Sequence, residues 1–295
     1  MDRDSVLMVD GKMDMERWER LIEIFDDTKK FYAQNARLAE AVQAAKAATK
    51  LYEADCYSGE PTVKGSECRI TVTRHKSFEA AMLIHAEHPE WKIAVLNFAS
   101  AANPGGGVEN GSSAQEESLC RCSTLYPTLT QDWLWQQYYL KNRNAHDNLH
   151  TDACIYSPGI IICKTDDAYP ERMEERDWVT VDVITCAAPN LRHRPGNIHN
   201  PEYGERKIIS PEEQYCLHLQ RAKHILHVAA VNNADTLVLG AFGCGAFRND
   251  PQAVAKAYAD ALTEYKGYFR HIEFAVYCQP NEIGNYEAFS SALCK

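Results

Sequence analysis

Between Asp235 and Cys294 the chain alternates between two hydrophobic periods. DTLVLGAF (235–242) and HIEFAVYC (271–278) are short apolar runs of strand type. Each leads into a segment with apolar residues three and four apart, DPQAVAKAYADALTEY (250–265) and NYEAFSSALC (285–294). Strands joined through a helix pair in parallel, because the crossover carries the chain back across the sheet. The alternation therefore predicts an α/β fold, a parallel or mixed sheet with helices on both faces. The same grammar occurs upstream. CRITVTRH (68–75) reads as a strand, SFEAAMLIHAEH (77–88) as a helix with Ser77 at its N-cap, and KIAVLNFAS (92–100) as a strand covered on both faces. Further helices are expected from Ser113 to about Tyr126, over 131–144 and over 211–232, with strands in DACIYSPGIIICKT (152–165) and DWVTVDVITCAAPNL (177–191). Residues 14–54 keep helical spacing throughout and predict two helices packed on the core, which divides the chain into a helical region, 1–55, and a core domain, 56–295.

Two of the predicted strands run into glycine. After KIAVLNFAS comes NPGGGVENGSSAQEES (103–118), with Gly105, Gly106 and Gly107 ahead of Gln115, Glu116 and Glu117. After DTLVL comes GAFGCGAFRNDP, with Gly240, Gly243 and Gly245, then Asp250 as N-cap and Pro251 at the first helical position. Bare backbone lets amide N–H groups approach an anion, and in open α/β sheets ligands gather at the carboxyl ends of strands, where both loops fall. Neither loop is a dinucleotide fingerprint or a P-loop, because GAFGCG lacks the required spacing and no Lys-Ser or Lys-Thr follows. Spacing alone offers bland readings of the carboxylates as well: Ser113 with Glu116, and Ser112 with Gln115, are spaced as capping boxes, and Glu117 with Arg121 as a helix-surface ion pair.

The other features narrow the field. A formal net charge of −10 argues against general nucleic-acid binding, which draws its affinity from Lys and Arg on phosphates. No apolar run is long enough to span a membrane, and the acidic start lacks a secretory profile, so a cytoplasmic location is expected. The eleven cysteines include no CxxC pair and are read as mostly buried small hydrophobes. His146, His150, His193 and His199 form no HExxH or other zinc spacing, so no metal is expected. The run WLWQQYY (133–139) is read as core packing, and the absence of GxSxG argues against a serine hydrolase.

The stretch NFASAANPGGGVENGSSAQEESLCRCSTLYPTL resembles the signature of microbial-type poly(ADP-ribose) glycohydrolases, in which a triple glycine is followed after a short spacer by Gln-Glu-Glu; here the spacer is seven residues. LGAFGCGAFRNDP resembles the diphosphate loop of the same family, and the likeness extends over roughly residues 50–295. It implies a three-layer αβα macrodomain-like mixed sheet carrying an N-terminal helical accessory region. It implies hydrolysis of ribose–ribose bonds in ADP-ribose polymer without a cofactor, with Glu117 as acid and base and Glu116 holding the ribose. Asn103, Gly105, Gly106, Gly107 and Gln115 would bind ribose and diphosphate from one side; Gly243, Gly245, Ala246 and Phe247 would wrap the diphosphate from the other, Phe247 against the distal ribose. The implied partners are the polymer or ADP-ribosylated macromolecules. Two readings stay open beside this one: removal of single ADP-ribose units from protein or nucleic acid, and ADP-ribose binding without cleavage. A proton held near neutral pH would require a raised carboxyl pKa at Glu117, which a charged Glu116 would favour and the helix N-terminus oppose.

Overall fold

The computed structural model describes residues 3–65, 67–196 and 206–294. Helices α1 (Arg3–Gln34) and α2 (Ala36–Ala48) precede strands β1 (Lys50–Tyr52) and β2 (Arg69–Thr73). Then come α3 (Ser77–Glu87), β3 (Ile93–Phe98), α4 (Gln115–Cys122) and three short helices, α5 (Tyr126–Leu129), α6 (Asp132–Leu134) and α7 (Leu140–Ala145). Strands β4 (Cys154–Ile162) and β5 (Val179–Cys186) lead to α8 (Pro211–Val231), β6 (Thr236–Leu239), α9 (Pro251–Tyr265), β7 (His271–Ala275) and α10 (Gly284–Leu293).

The strands form one sheet in the order β1-β4-β5-β3-β6-β7-β2. It is parallel from β5 through β3, β6 and β7 to β2, and antiparallel where β4 meets β5 and β1. Helices cover both faces, because the strands alternate between two cores. In β3, Ala94 and Leu96 pack with α8 and α9 residues such as Ile225 and Tyr258, while Ile93 and Val95 pack with Phe78 of α3, Leu119 of α4 and Phe25 of α1. This is the three-layer macrodomain-like α/β arrangement that the alternation and the family resemblance predict.

Several local expectations are corrected. Lys50–Tyr52, expected as helix, is an edge strand: Thr49 turns extended, and Leu51 pairs with Ile155 of β4, so sheet pairing overrides helical spacing. The helical region also begins earlier than expected, at Arg3, and breaks at Asn35, whose side chain caps α2. Ser77 is not the N-cap of α3. That place is taken by Lys76, whose N–H is held by Glu79 at 3.0 Å, because the Ser77 hydroxyl accepts a hydrogen bond from Gln115 instead. The helix expected from Ser113 to Tyr126 is only eight residues long, ending where Ser123 extends to bridge Ile162.

Asp250 caps α9 through Gln252 N–H at 3.1 Å, with Pro251 at its start, as the sequence predicts. In the aromatic run Leu134, Tyr138 and Tyr139 are buried, over a π-helical stretch at Trp135–Tyr139. The thiols are less uniformly buried than expected: all eleven are free, Cys120, Cys122, Cys154, Cys163 and Cys186 lie in the interior, and Cys56, Cys216 and Cys294 are exposed. His199 lies outside the described residues. Among the described residues no helix is long and apolar enough to cross a membrane.

Candidate active site

Strands β3 and β6 are parallel neighbours, Val95 opposite Val238, so their carboxyl ends and the glycine loops that follow lie side by side. Between the loops opens a cleft of about 960 Å³. Asn103, Gly106, Gly107, Gln115, Glu116, Glu117, Gly243, Gly245, Ala246 and Phe247 line it. Gly105 is not among the lining residues: a methyl there would lie 2.7 Å from the Tyr126 ring.

The start of α4 is fastened to the end of β3 by its first side chains. Gln115 Oε1 accepts from Phe98 N–H at 2.8 Å, while its Nε2 donates to Leu96 O at 2.8 Å and to Ser77 Oγ at 3.0 Å. Its amide is thus engaged within the chain. Neither serine of the two capping-box spacings caps the helix, because Ala114 occupies the cap position and Glu116 turns to Ser100.

Glu116 is 3 % exposed. Its Oε2 accepts from Ser100 N–H at 2.7 Å, and its Oε1 accepts from Asn97 Nδ2 at 3.3 Å. Burial, and next the charge of Glu117, push its pKa up to about 8. A carboxyl that keeps its proton needs an acceptor for it. Among the described residues Asn97 Oδ1 is a buried acceptor with no partner, and turning that amide over presents it to Glu116. The pair thus has a proton-holding member in Glu116.

Glu117, also buried, accepts from Gly107 N–H through Oε1 at 2.9 Å; among the described residues its Oε2 has no partner. The expected surface pair with Arg121 is not one, since Arg121 is buried as well, at 2 % exposure. The glycines fit against these carboxylates: a methyl on Gly106, whose φ is +60°, would come 2.5 Å from Glu117 Oε1. The first loop also spends its amides internally, Gly106 N–H on Asn103 O and Gly107 N–H on Glu117. In the second loop the N–H groups of Gly245, Ala246 and Phe247 donate to nothing among the described residues, and a methyl on Gly245 would meet no atom within 4 Å. Successive free amides around bare backbone are suited to an anion.

Buried Asn249 shapes that second loop. Its Nδ2 donates to Pro189 O at 2.7 Å and Gly243 O at 3.0 Å, and its Oδ1 accepts from His218 Nε2 at 2.9 Å. His218 is buried, which pulls its pKa down to about 4 and leaves the ring neutral. Arg192 lies 5.6 Å over the Phe247 ring and puts a cation on the same side of the cleft. Among the described residues no group of His, Cys, Asp and Glu side chains is disposed to hold a metal ion.

The chain matches the model of the microbial-type poly(ADP-ribose) glycohydrolase catalytic domain over residues 22–165. It is similar to the poly(ADP-ribose) glycohydrolase of Thermomonospora curvata bound to the inhibitor ADP-HPD, with 30% identity over 92% of this chain and 99% of that one, at a TM-score of 0.76. The chain belongs to the microbial-type poly(ADP-ribose) glycohydrolase family. The Thermomonospora curvata enzyme without inhibitor is similar at a TM-score of 0.78 and 29% identity, over 92% of this chain and 98% of that one. The glycohydrolase of Deinococcus radiodurans in complex with ADP-ribose gives 0.68 and 32%, over 85% and 96%. No curated protein matches in sequence.

Three residues that hold the lining of this glycohydrolase cleft in place, through Glu116, Gly243 and Asn103, did not stand out in the sequence. Asn97 carried a signal, a lone amide in an apolar strand. Asn249 stands beside the cap residue Asp250 and was overlooked for it. Arg143, whose Nε donates to Ala102 O at 2.8 Å and whose Nη2 donates to Asn103 Oδ1, carried none, because its contact spans forty residues of chain.

Proposed function

We propose that this chain hydrolyses the ribose–ribose O-glycosidic bonds of poly(ADP-ribose) and releases ADP-ribose, mainly from chain ends, with Glu117 acting on the scissile bond. The observation that carries the assignment of Glu117 is its Oε2, buried at the cleft wall without a hydrogen-bond partner while Oε1 is fixed by Gly107. The free amides at Gly245, Ala246 and Phe247 take the diphosphate of the terminal unit, and Phe247 packs on its distal ribose. Asn103, Gly105, Gly106 and Gly107 shape the ribose side, and Gln115 holds the carboxylate helix against β3.

Near neutral pH the carboxyl pair holds one proton, because burial and mutual repulsion oppose a second negative charge. In the reaction the pair's one proton, carried at rest by Glu116, is handed to Glu117 and from it to the departing ribose oxygen as the glycosidic C–O bond breaks and the sugar becomes oxocarbenium-like. A water then adds to the anomeric carbon and returns a proton to Glu117, so one water is consumed and the enzyme is restored. Glu116 holds the ribose hydroxyls in register, and the nearby diphosphate stabilises the positive sugar. The net charge of −10 disfavours binding along a long polyanion, which supports attack at chain ends.

The test is calorimetric titration with ADP-ribose alongside polymer hydrolysis, wild type against Glu117→Gln. The variant is expected to bind ADP-ribose with little change and to lose about 10²–10⁴-fold in rate. Full polymer-degrading rate in a folded Glu117→Gln enzyme would sink the assignment. A digest made chiefly of long oligomers would overturn the preference for ends.

A further inference from the structure

We infer that Arg17 and Arg121 form an acceptor-side subsite, which binds a phosphate of the polymer unit that leaves when the terminal ADP-ribose is cut off. The inference rests on the polymer-hydrolase reading and extends it to the far side of the scissile bond.

The cleft does not end at Glu117. Beyond it the lining continues through Ser113, Ser118 and Arg121, Arg17 and Leu21 of α1, and the segment around Asp166. Arg121 lies four residues past Glu117 on α4, about 6 Å farther along the helix axis and away from the neighbouring ends of β3 and β6, where the two glycine loops begin. The second glycine loop and this extension therefore lie on different sides of Glu117. A ligand whose diphosphate occupies the loop and whose anomeric carbon reaches Glu117 must send its leaving group toward the arginines.

Arg121 is the unusual group there. A guanidinium buried to 2 % exposure normally has every donor engaged, yet among the described residues Arg121 Nη1 has no partner, and no carboxylate forms an ion pair with it. Burial pulls its pKa down, and the charge of Glu117 partly restores it. Arg17 reaches the same place from α1, where its Nη2 donates to Ser113 Oγ at 3.3 Å. The α1 backbone is held close, since Trp18 abuts Gly111 so tightly that a methyl on the glycine would lie 2.6 Å from Trp18 O. Thr28 Oγ1, farther along α1, donates to Arg121 O at 2.7 Å. On the facing segment Asp166 is engaged by Lys76 and by Ser118 Oγ at 2.9 Å, and Asp167 faces solvent at the rim. Two guanidinium groups, one with an unpartnered Nη1, lining one cleft in a protein of net charge −10 make a site for an anion. Every unit of the polymer carries its own diphosphate, so the departing unit supplies that anion, whereas an uncharged leaving group does not.

The experiment compares two substrates cut at the same kind of bond: defined ADP-ribose oligomers, and a single ADP-ribose O-linked through its anomeric carbon to an uncharged aryl alcohol. Arg17→Ala is the main variant, because Arg17 is exposed and lies outside the carboxylate machinery. It is expected to raise KM for oligomers about fivefold, with kcat, ADP-ribose affinity and cleavage of the aryl substrate unchanged, and Arg17→Lys is expected to recover part of the loss. Arg121→Gln is expected to raise the oligomer KM further than the aryl KM. Equal effects of Arg17→Ala on both substrates, or none on the oligomer, would overturn the subsite while leaving the hydrolase reading intact. Failure of wild type to cut oligomers or bind ADP-ribose would instead remove the reading beneath it.

Discussion

In the first glycine loop a methyl at Gly106 would lie 2.5 Å from Glu117 Oε1, whereas in the second a methyl at Gly245 would meet no atom within 4 Å. Both segments leave adjacent parallel strands and look alike in sequence. The first is bare because the chain's own carboxylates press against it, and its amides are spent within the chain, Gly106 N–H on Asn103 O and Gly107 N–H on Glu117. The second is tight at Gly243, where a methyl would lie 2.6 Å from Ala188 and Asn249, but at Gly245 it is bare around open space, with a run of amides unspent and its shape fixed from behind by Asn249. Glycine thus serves an internal contact in one loop and leaves room for an external one in the other.

The largest expected effect breaks the first half of that comparison. Gly106→Ala puts a β-carbon on a residue with φ +60° and drives it into Glu117, so the carboxylate must shift. Misplacing a reacting group by about 1 Å can cost on the order of 10²-fold in rate. Polymer hydrolysis should fall by about that factor, with ADP-ribose affinity changed far less; equal losses in both would mean that Gly106 contacts the ligand directly.

Glu116→Gln sharpens the same half through pH. The folded protein holds the Glu116 proton up to about pH 8, while the unfolded chain releases it near the ordinary value of 4.5. Between those values the native state binds more protons, so this group's contribution to stability falls as pH rises from about 4.5 to 8. Glutamine has no proton to lose. Denaturant unfolding at pH 5 and pH 8 should show wild type losing up to a few kcal/mol more than the variant. Parallel curves would show that Glu116 is ionised throughout.

Asn249→Ala addresses the second loop. It strips a donor from the Pro189 and Gly243 carbonyls and the acceptor from a neutral His218, and unsatisfied buried groups of this kind cost about 1–3 kcal/mol. The melting temperature should drop, and ADP-ribose affinity should weaken roughly tenfold as the free amides lose their alignment. A loss of stability with unchanged affinity would separate the loop's shape from its ligand.

How far these contacts could be read from sequence follows from their range along the chain. The strand ahead of each loop, the Asp250–Pro251 helix start and the Gln-Glu-Glu turn are local patterns, and they stand where the residues predicted. The strand at Lys50–Tyr52 was hidden, because its pairing with Cys154–Tyr156 is decided a hundred residues away while its own neighbourhood favours helix. The capping-box spacings misled for a related reason: the end of β3, which no local pattern contains, offered Glu116 the Ser100 amide and Gln115 the Leu96 carbonyl. The unpartnered Nη1 of Arg121 was equally invisible, since its spacing from Glu117 is that of an ordinary exposed pair, whereas the folded residue is buried with Thr28 of α1 on its carbonyl.

Gly245→Ala carries the smallest expected effect and makes the finest cut between the two loops. Its backbone is not in the left-handed region and nothing occupies the space a methyl would enter. Stability should therefore hold within about 0.5 kcal/mol, or gain slightly as the unfolded chain stiffens. ADP-ribose affinity is the quantity that separates the cases. If the open space at Gly245 receives the diphosphate, titration will show affinity weakened about threefold in a protein whose melting temperature has not moved, a combination that Gly106→Ala cannot give. If affinity is also untouched, the ligand keeps its distance from residue 245 and the unspent amides at 246 and 247 must hold the diphosphate without it.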